Sequence, residues 1–162
     1  MKIAGMLKNT TSYGPGHRFV VFLQSCQHHC DGCQAAAQCH NSGVDFPEDE
    51  LCSMMTSDPE TAGLTICGGE PFAQAEECLA LADAAHTAGL NVWCVTTETY
   101  EALLCGTDAQ QALLRKTDVL IDSGAPAFQQ AVPPALSLSK NAERIILVAE
   151  SLTSGPGVLW KS

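Results

Sequence analysis

The 162-residue chain is 46% hydrophobic and 16% charged, a balance that describes a folded globular domain with its own core rather than a disordered segment. A formal charge of −10 and only 8 lysines plus arginines argue against the basic face that nucleic-acid phosphates or anionic membrane would require. No apolar run approaches the ~20 residues of a bilayer span, and Met1-Lys2-Ile3-Ala4-Gly5 opens no signal-peptide pattern, so a cytoplasmic protein is expected.

No repeat, low-complexity tract or long linker divides the chain, and residues 1–162 read as one domain. Residues 18–24 (RFVVFLQ) form a buried β-rich run, followed by a polar, Cys/His/Gln-rich loop over 25–41. Residues 47–57 open with Pro and then acids, which suits a helix start. A short strand over 64–67 stops at Gly68-Gly69, and 73–88 has helical spacing of Cys78, Leu79, Ala82 and Ala85, closed by Gly89. Strand 91–95, helix 99–116, strand 118–121, a Pro133-Pro134 loop and strand 144–148 complete the series.

Alternation of this kind points to β/α units with right-handed crossovers. The units fall short of the eight that close a barrel. The expected fold class is therefore α/β, a single-domain open partial (β/α) barrel with a mainly parallel sheet. Cys26, Gly68-Gly69-Glu70, Thr96-Thr97 and Asp122 each follow a strand, the edge at which α/β sheets and barrels gather their sites.

Nine cysteines are present. Without a secretion signal a disulfide framework is not expected, and clustered thiols then point to metal ligation or catalysis. Cys26-x3-Cys30-x2-Cys33 supplies three soft thiolates from one loop, a donor set suited to an iron–sulfur cluster or to zinc. Three ligands on a [4Fe–4S] cluster leave one iron open, where the amino and carboxylate groups of S-adenosylmethionine (SAM) can chelate. Two alternatives share the motif. Zinc would take a fourth ligand from Cys39, His28, His29 or His40, and a four-cysteine cluster using Cys39 would be an electron carrier. His28 and His29 would tune a cluster by hydrogen bonding or face solvent.

Ile66-Cys67-Gly68-Gly69-Glu70-Pro71 is the second motif. Two glycines at a strand end let backbone approach a ligand closely, and the carboxylate that follows can accept from an ammonium. Alone it also fits an ordinary strand-to-helix turn. Together with the cysteines it favours SAM.

With these motifs on the page, the chain resembles the radical SAM superfamily, and within it the activating proteins of glycyl radical enzymes. The similarity runs from Gly14-Pro15-Gly16-His17-Arg18-Phe19 to Cys26, through Gly32-Cys33 and Gly68-Gly69-Glu70-Pro71. It continues through Val92-Trp93-Cys94-Val95-Thr96, Asp118-Val119-Leu120-Ile121-Asp122 and Arg144-Ile145-Ile146. The short length is that of activators of anaerobic ribonucleoside-triphosphate reductase. The resemblance implies that Cys26, Cys30 and Cys33 hold a [4Fe–4S] cluster and that Gly68, Gly69 and Glu70 hold the SAM methionyl group. Gly32 and Gln34 would lie near the nucleoside.

The implied reaction is reductive cleavage of SAM to a 5′-deoxyadenosyl radical, which takes hydrogen from a glycine of the partner. The implied partners are a glycyl radical enzyme, most closely the reductase large subunit, and a reduced donor such as flavodoxin or ferredoxin. Thr96-Thr97-Glu98 stands where the family carries Thr-Gly-Tyr, and Gln34-Ala35-Ala36-Ala37 where it carries an aromatic residue or His and then Asn. Two other functions remain open: a radical SAM enzyme acting on a peptide or small molecule, and a non-catalytic zinc or Fe–S binding module.

The remaining candidates have plainer readings. Cys67 and Cys94 in strands, and Cys52, Cys78 and Cys105 in helices, read as small hydrophobes. Cys39, six residues past Cys33, is the candidate for a second-cluster or redox role. Arg18 would pair with an acid near the site or at the surface, and Asp122 would reach the site from its strand end. Trp93 and Trp160 read as packing, and Glu48 to Glu50 as a solvated helix N-terminus.

Overall fold

The most apolar segments of the chain become its central strands. The computed structural model describes residues 1–24, 43–122, 144–154 and 158–159. In it β2 (His17–Leu23), β4 (Thr61–Gly68), β5 (Asn91–Val95) and β6 (Val119–Asp122) pair in parallel. They are covered on both faces, which is why they read as continuous apolar runs rather than alternating ones.

Both margins of the sheet are antiparallel. β1 (Lys2–Thr10) pairs with β2, and β3 (Val44–Asp45) with β1. On the other side β7 (Arg144–Leu147) pairs with β6, and β8 (Val158–Leu159) with β7. The result is one open eight-stranded sheet of order β3-β1-β2-β4-β5-β6-β7-β8. The class is α/β, as expected, but the sheet is mixed: parallel pairing is confined to the four central strands.

Each margin has its own cause. β1 is mostly exposed and interrupted by Gly5, so it carries no alternation to betray a strand. It reaches β2 through a turn in which Gly14 and Gly16 hold φ of +130° and +76°, values an L side chain resists. β7 opens at Arg144, which lies opposite Asp122 in the antiparallel register and bonds to it. Pairing of these two charges favours the reversed strand over another parallel crossover.

Helices cover one face. α1 (Glu48–Thr56) starts just after Pro47, which is its N-cap, and carries Glu48, Asp49 and Glu50 in its first turn, where the macrodipole favours acids. Glu48 is also bonded to the N-terminal amine at 3.3 Å. A short 3₁₀ helix (Pro71–Gln74) leads into α2 (Ala75–Thr87), which Gly89 ends at φ +76°. The segment expected as one helix over 99–116 is two, α3 (Tyr100–Leu104) and α4 (Asp108–Arg115). Thr107 and Gln110 form a reciprocal capping box on α4, and this T-x-x-Q signature outweighs the apolar spacing that runs through the break. α5 (Val148–Ser154) follows β7 directly.

The main core lies between the sheet and the helices, with Leu23, Ile66, Val92 and Leu120 meeting Leu51, Leu81 and Leu113. A second cluster on the opposite face joins Val20, Cys67, Trp93, Val95 and Ile121, and Tyr13 and Phe22, edge-to-face with each other, pack against it. Among the described residues no helix is long and apolar enough to cross a membrane.

Candidate functional site

The parallel strands end together, and the ends are tied by backbone. Leu23 of β2 is paired with Gly68 of β4, and the Gly69 N–H donates to the Leu23 carbonyl at 2.9 Å. Gly68 takes φ +96°, and a Cβ there would lie 2.9 Å from the Leu23 nitrogen and 3.1 Å from the Phe22 Cα. Glycine is therefore required twice over, by conformation and by the approach of β2. Gly68→Ala is expected to destabilise the fold by about 1–3 kcal/mol, read as a drop in Tm. An unchanged Tm would show that the strand ends are looser than this contact implies.

Glu70 is buried, at 3% exposure, and its carboxylate is held from four directions. Oε1 accepts from the Thr96 hydroxyl at 2.7 Å and the Phe72 N–H at 3.1 Å. Oε2 accepts from the Thr97 N–H at 2.9 Å and the Thr97 hydroxyl at 2.7 Å. An ionised carboxylate offers about four acceptor positions. Glu70 thus caps the 3₁₀ helix and joins the end of β4 to the end of β5. An ammonium could reach it only by displacing one of these donors, and the Thr97 hydroxyl can rotate away without moving backbone. A pocket of about 520 Å³ opens beside Glu70, and Glu76, Glu77 and Glu98 add three further carboxylates to its wall.

Asp122, at the end of β6, is fully buried and engaged by the fold. Its carboxylate accepts from the Tyr100 N–H, which starts α3, and from Nε and Nη2 of Arg144. Arg144 reaches on to both oxygens of Glu101 at 2.9 and 2.7 Å, and this contact holds the Glu101 carboxyl below its usual range. The strand end thus carries a three-residue charge cluster of Asp122, Arg144 and Glu101.

Arg18 is likewise a correction. It is fully buried rather than at the surface, and it donates to Thr65 Oγ1, Asn91 Oδ1 and the Leu64 carbonyl. Its guanidinium lies 5.2 Å from the Trp93 ring centre, and burial lowers its pKa to about 10. These bonds stitch β2 to β4 and β5, below the edge where the glycines lie.

Among the described cysteines, Cys67, Cys78 and Cys94 are buried as small hydrophobes, and burial pushes the Cys94 thiol up to about 12. Cys52 is half-buried in α1, whereas Cys105 is exposed just after α3 rather than inside a helix. Among the described residues no three His, Cys, Asp or Glu side chains converge as a metal site. Cys26, Cys30, Cys33, Gly32, Gln34, Cys39, His28, His29, His40 and Trp160 lie outside the described residues.

Gln24 and Gly43, which flank 25–42, are both described, and they touch: a Cβ on Gly43 would overlap the Gln24 side chain. The two residues that flank the cysteine-bearing stretch thus meet just beyond the end of β2. Spacing alone had shown neither this closure nor two of the residues that build the edge. One is Gln74, which bonds the Gln24 carbonyl at 2.8 Å, and the other is Arg144. Gln74 belongs to no motif, and Arg144 was marked only as the start of a strand and of a similar stretch, with no role at the edge.

Comparison with known proteins places this geometry. The model of a family described as a 4Fe-4S single cluster domain matches residues 12–145. The chain is 29% identical over 135 residues to the pyruvate formate-lyase-activating enzyme of Streptococcus mutans, an alignment covering 66% of this chain and 49% of that protein. It is 28% identical over 142 residues to the anaerobic ribonucleoside-triphosphate reductase-activating protein of Vibrio cholerae, covering 82% of this chain and 88% of that protein. The chain spans about half the length of the first relative and most of the second. The match takes in β2, all three motif cysteines, Gly68-Gly69-Glu70 and β6, so the chain belongs to the family of 4Fe-4S single cluster domains and resembles the glycyl radical enzyme activases.

Proposed function

We propose that the protein is a radical SAM activating enzyme that places a glycyl radical on a partner enzyme, and that the partner is the large subunit of an anaerobic ribonucleoside-triphosphate reductase. The observation that carries this reading is the docking of Gly68-Gly69 on the end of β2, the strand that leads into Cys26. The glycine motif is thereby set against the end of the strand that precedes the cysteines in sequence. The breadth of the match to the Vibrio cholerae protein supports the choice of partner.

The residues present fit the two groups this activity needs. Cys26, Cys30 and Cys33 form a soft thiolate set with one ligand fewer than a four-iron cluster has irons. Gly68 lets the end of β4 close against the end of β2, and Glu70 is a fixed acceptor beside it. In this reading Gly68, Gly69 and Glu70 receive the SAM methionyl group, while Gly32 and Gln34 lie near its nucleoside. The chemistry that the cluster supplies when bound is one-electron reduction of the SAM sulfonium, which yields methionine and a 5′-deoxyadenosyl radical.

The chain's own part is to hold and orient. Thr96 and Thr97 fix the Glu70 carboxylate, and rotation of the Thr97 hydroxyl frees one acceptor position for an ammonium. The parallel block β2-β4-β5-β6 is read as the wall of a partial barrel within one radical SAM domain spanning 1–162. A cytoplasmic setting and a flavodoxin or ferredoxin donor belong to the same proposal.

The test mixes the reduced, cluster-loaded protein and SAM with the reductase large subunit and, separately, with pyruvate formate-lyase. A glycyl radical EPR signal on the reductase alone supports the proposal. A signal on the lyase alone overturns the choice of partner. SAM cleavage with no protein radical on either moves the substrate to a peptide or small molecule.

A further inference from the structure

Gln74 ends the short 3₁₀ helix that Glu70 begins. Its carboxamide is used on both sides. Oε1 accepts from the Lys2 N–H at 2.8 Å, while Nε2 donates to the Lys2 carbonyl at 3.3 Å and to the Gln24 carbonyl at 2.8 Å. The Gln24 N–H closes the figure by donating to the same Lys2 carbonyl at 3.0 Å. One side chain therefore joins the start of β1, the residue just beyond β2, and the turn that carries Gly68-Gly69-Glu70.

The joint is specific to a carboxamide of this length. Glutamate would keep the acceptor for Lys2 but turn an anionic oxygen toward two carbonyls. Lysine or arginine would offer donors only and leave the Lys2 N–H unmet. Asparagine is one methylene short. Gly43 presses on Gln24 from the other side, and its added Cβ would lie 3.1 Å from the Ile3 carbonyl as well as overlapping Gln24. Both flanks of 25–42 are thus referred to the same few atoms.

We infer that Gln74 is a positioning residue that ties Gln24, just beyond the end of β2, to the turn carrying Gly68-Gly69-Glu70, and so sets the affinity for SAM without ligating the cluster. The inference rests on the activity proposed above. Gln74 is only half-buried and lies outside the apolar core clusters, so its replacement is expected to leave the fold in place.

The test uses the full chain, anaerobically reconstituted with iron and sulfide, as parent and as Gln74→Leu. The readouts are iron content, Tm, and the change that SAM produces in the EPR spectrum of the reduced cluster. At equal iron load and Tm, Gln74→Leu should need about tenfold more SAM for the half-maximal spectral change. The KM for SAM in 5′-deoxyadenosine formation should rise by a similar factor, with kcat falling less. Gln74→Glu should show the larger shift.

A SAM titration of Gln74→Leu that overlays the parent's would overturn the inference. So would a loss of response no greater than the loss of bound iron. If Gln74→Leu does not accumulate as folded protein, Gly43→Ala tests the joint from its other side: a weakened SAM response at full iron load supports the inference, and an unchanged one overturns it. A parent that shows no response to SAM sinks the radical SAM reading itself, which keeps the two failures apart.

Discussion

Cys30→Ala is expected to yield a protein that keeps its secondary structure and Tm near the parent's but loses its iron–sulfur absorption and all measurable SAM cleavage. Removing a partner of a metal ligand already costs about 10–100-fold in affinity or activity, so deleting one of three thiolates should exceed that range. Iron analysis after anaerobic reconstitution, with Cys105→Ser as the control, separates a ligand from a bystander. Cys105 is exposed beyond α3, and its substitution should leave the iron content unchanged. A Cys30→Ala protein with full iron and full activity would remove the motif from the mechanism.

The second large effect concerns stability. Asp122→Ala removes the acceptor for two Arg144 nitrogens and for the N–H that starts α3, in a site where the carboxylate is fully buried. Deleting the buried partner leaves Arg144 with only the more exposed Glu101 as counter-ion, and the expected cost is up to about 3–5 kcal/mol. For a chain of this size each kcal/mol shifts Tm by about 2–4 °C. The expected drop is thus on the order of 10 °C.

Removing both charges together, as Asp122→Leu with Arg144→Leu, should cost less than Asp122→Ala alone, because no buried ion is left without its partner and Glu101 is exposed to water. Acid should act on the same cluster. Arg144 holds Glu101 below its usual range, so the stabilisation this contact gives is present above the ordinary carboxylate pKa. It is lost as pH falls through the lowered one. A Tm for Asp122→Ala within a degree or two of the parent's would show that the cluster is ornamental.

How much of this could be read beforehand depends on what kind of force set each feature. The four central strands were legible because they are buried on both faces, so Phe19 to Leu23 or Val92 to Val95 cannot be polar. The glycines were legible because Gly68 answers a conformational demand that no other residue meets at φ +96°. β1 was not, since an exposed marginal strand is held by backbone pairing, which leaves little trace in side-chain type. The reversal at β7 was hidden for a different reason: it turns on Asp122 finding Arg144 across residues 123–143, and such long-range charge pairing has no local pattern. The split between α3 and α4 was written in Thr107 and Gln110 but masked by apolar spacing that continues through the break. Glu70 was recognised as a site residue and Thr96-Thr97 as strand-end residues, whereas the bonds that join them appeared only with the fold.

The measurement that bears most directly on the central claim is SAM turnover by the reconstituted protein. The chain, loaded anaerobically with iron and sulfide and reduced with dithionite, should convert SAM to methionine and 5′-deoxyadenosine. It should also show the visible absorption of a [4Fe–4S] cluster. A preparation that binds one zinc, shows no iron–sulfur absorption and leaves SAM intact would contradict the account and return Cys26, Cys30 and Cys33 to a structural metal site.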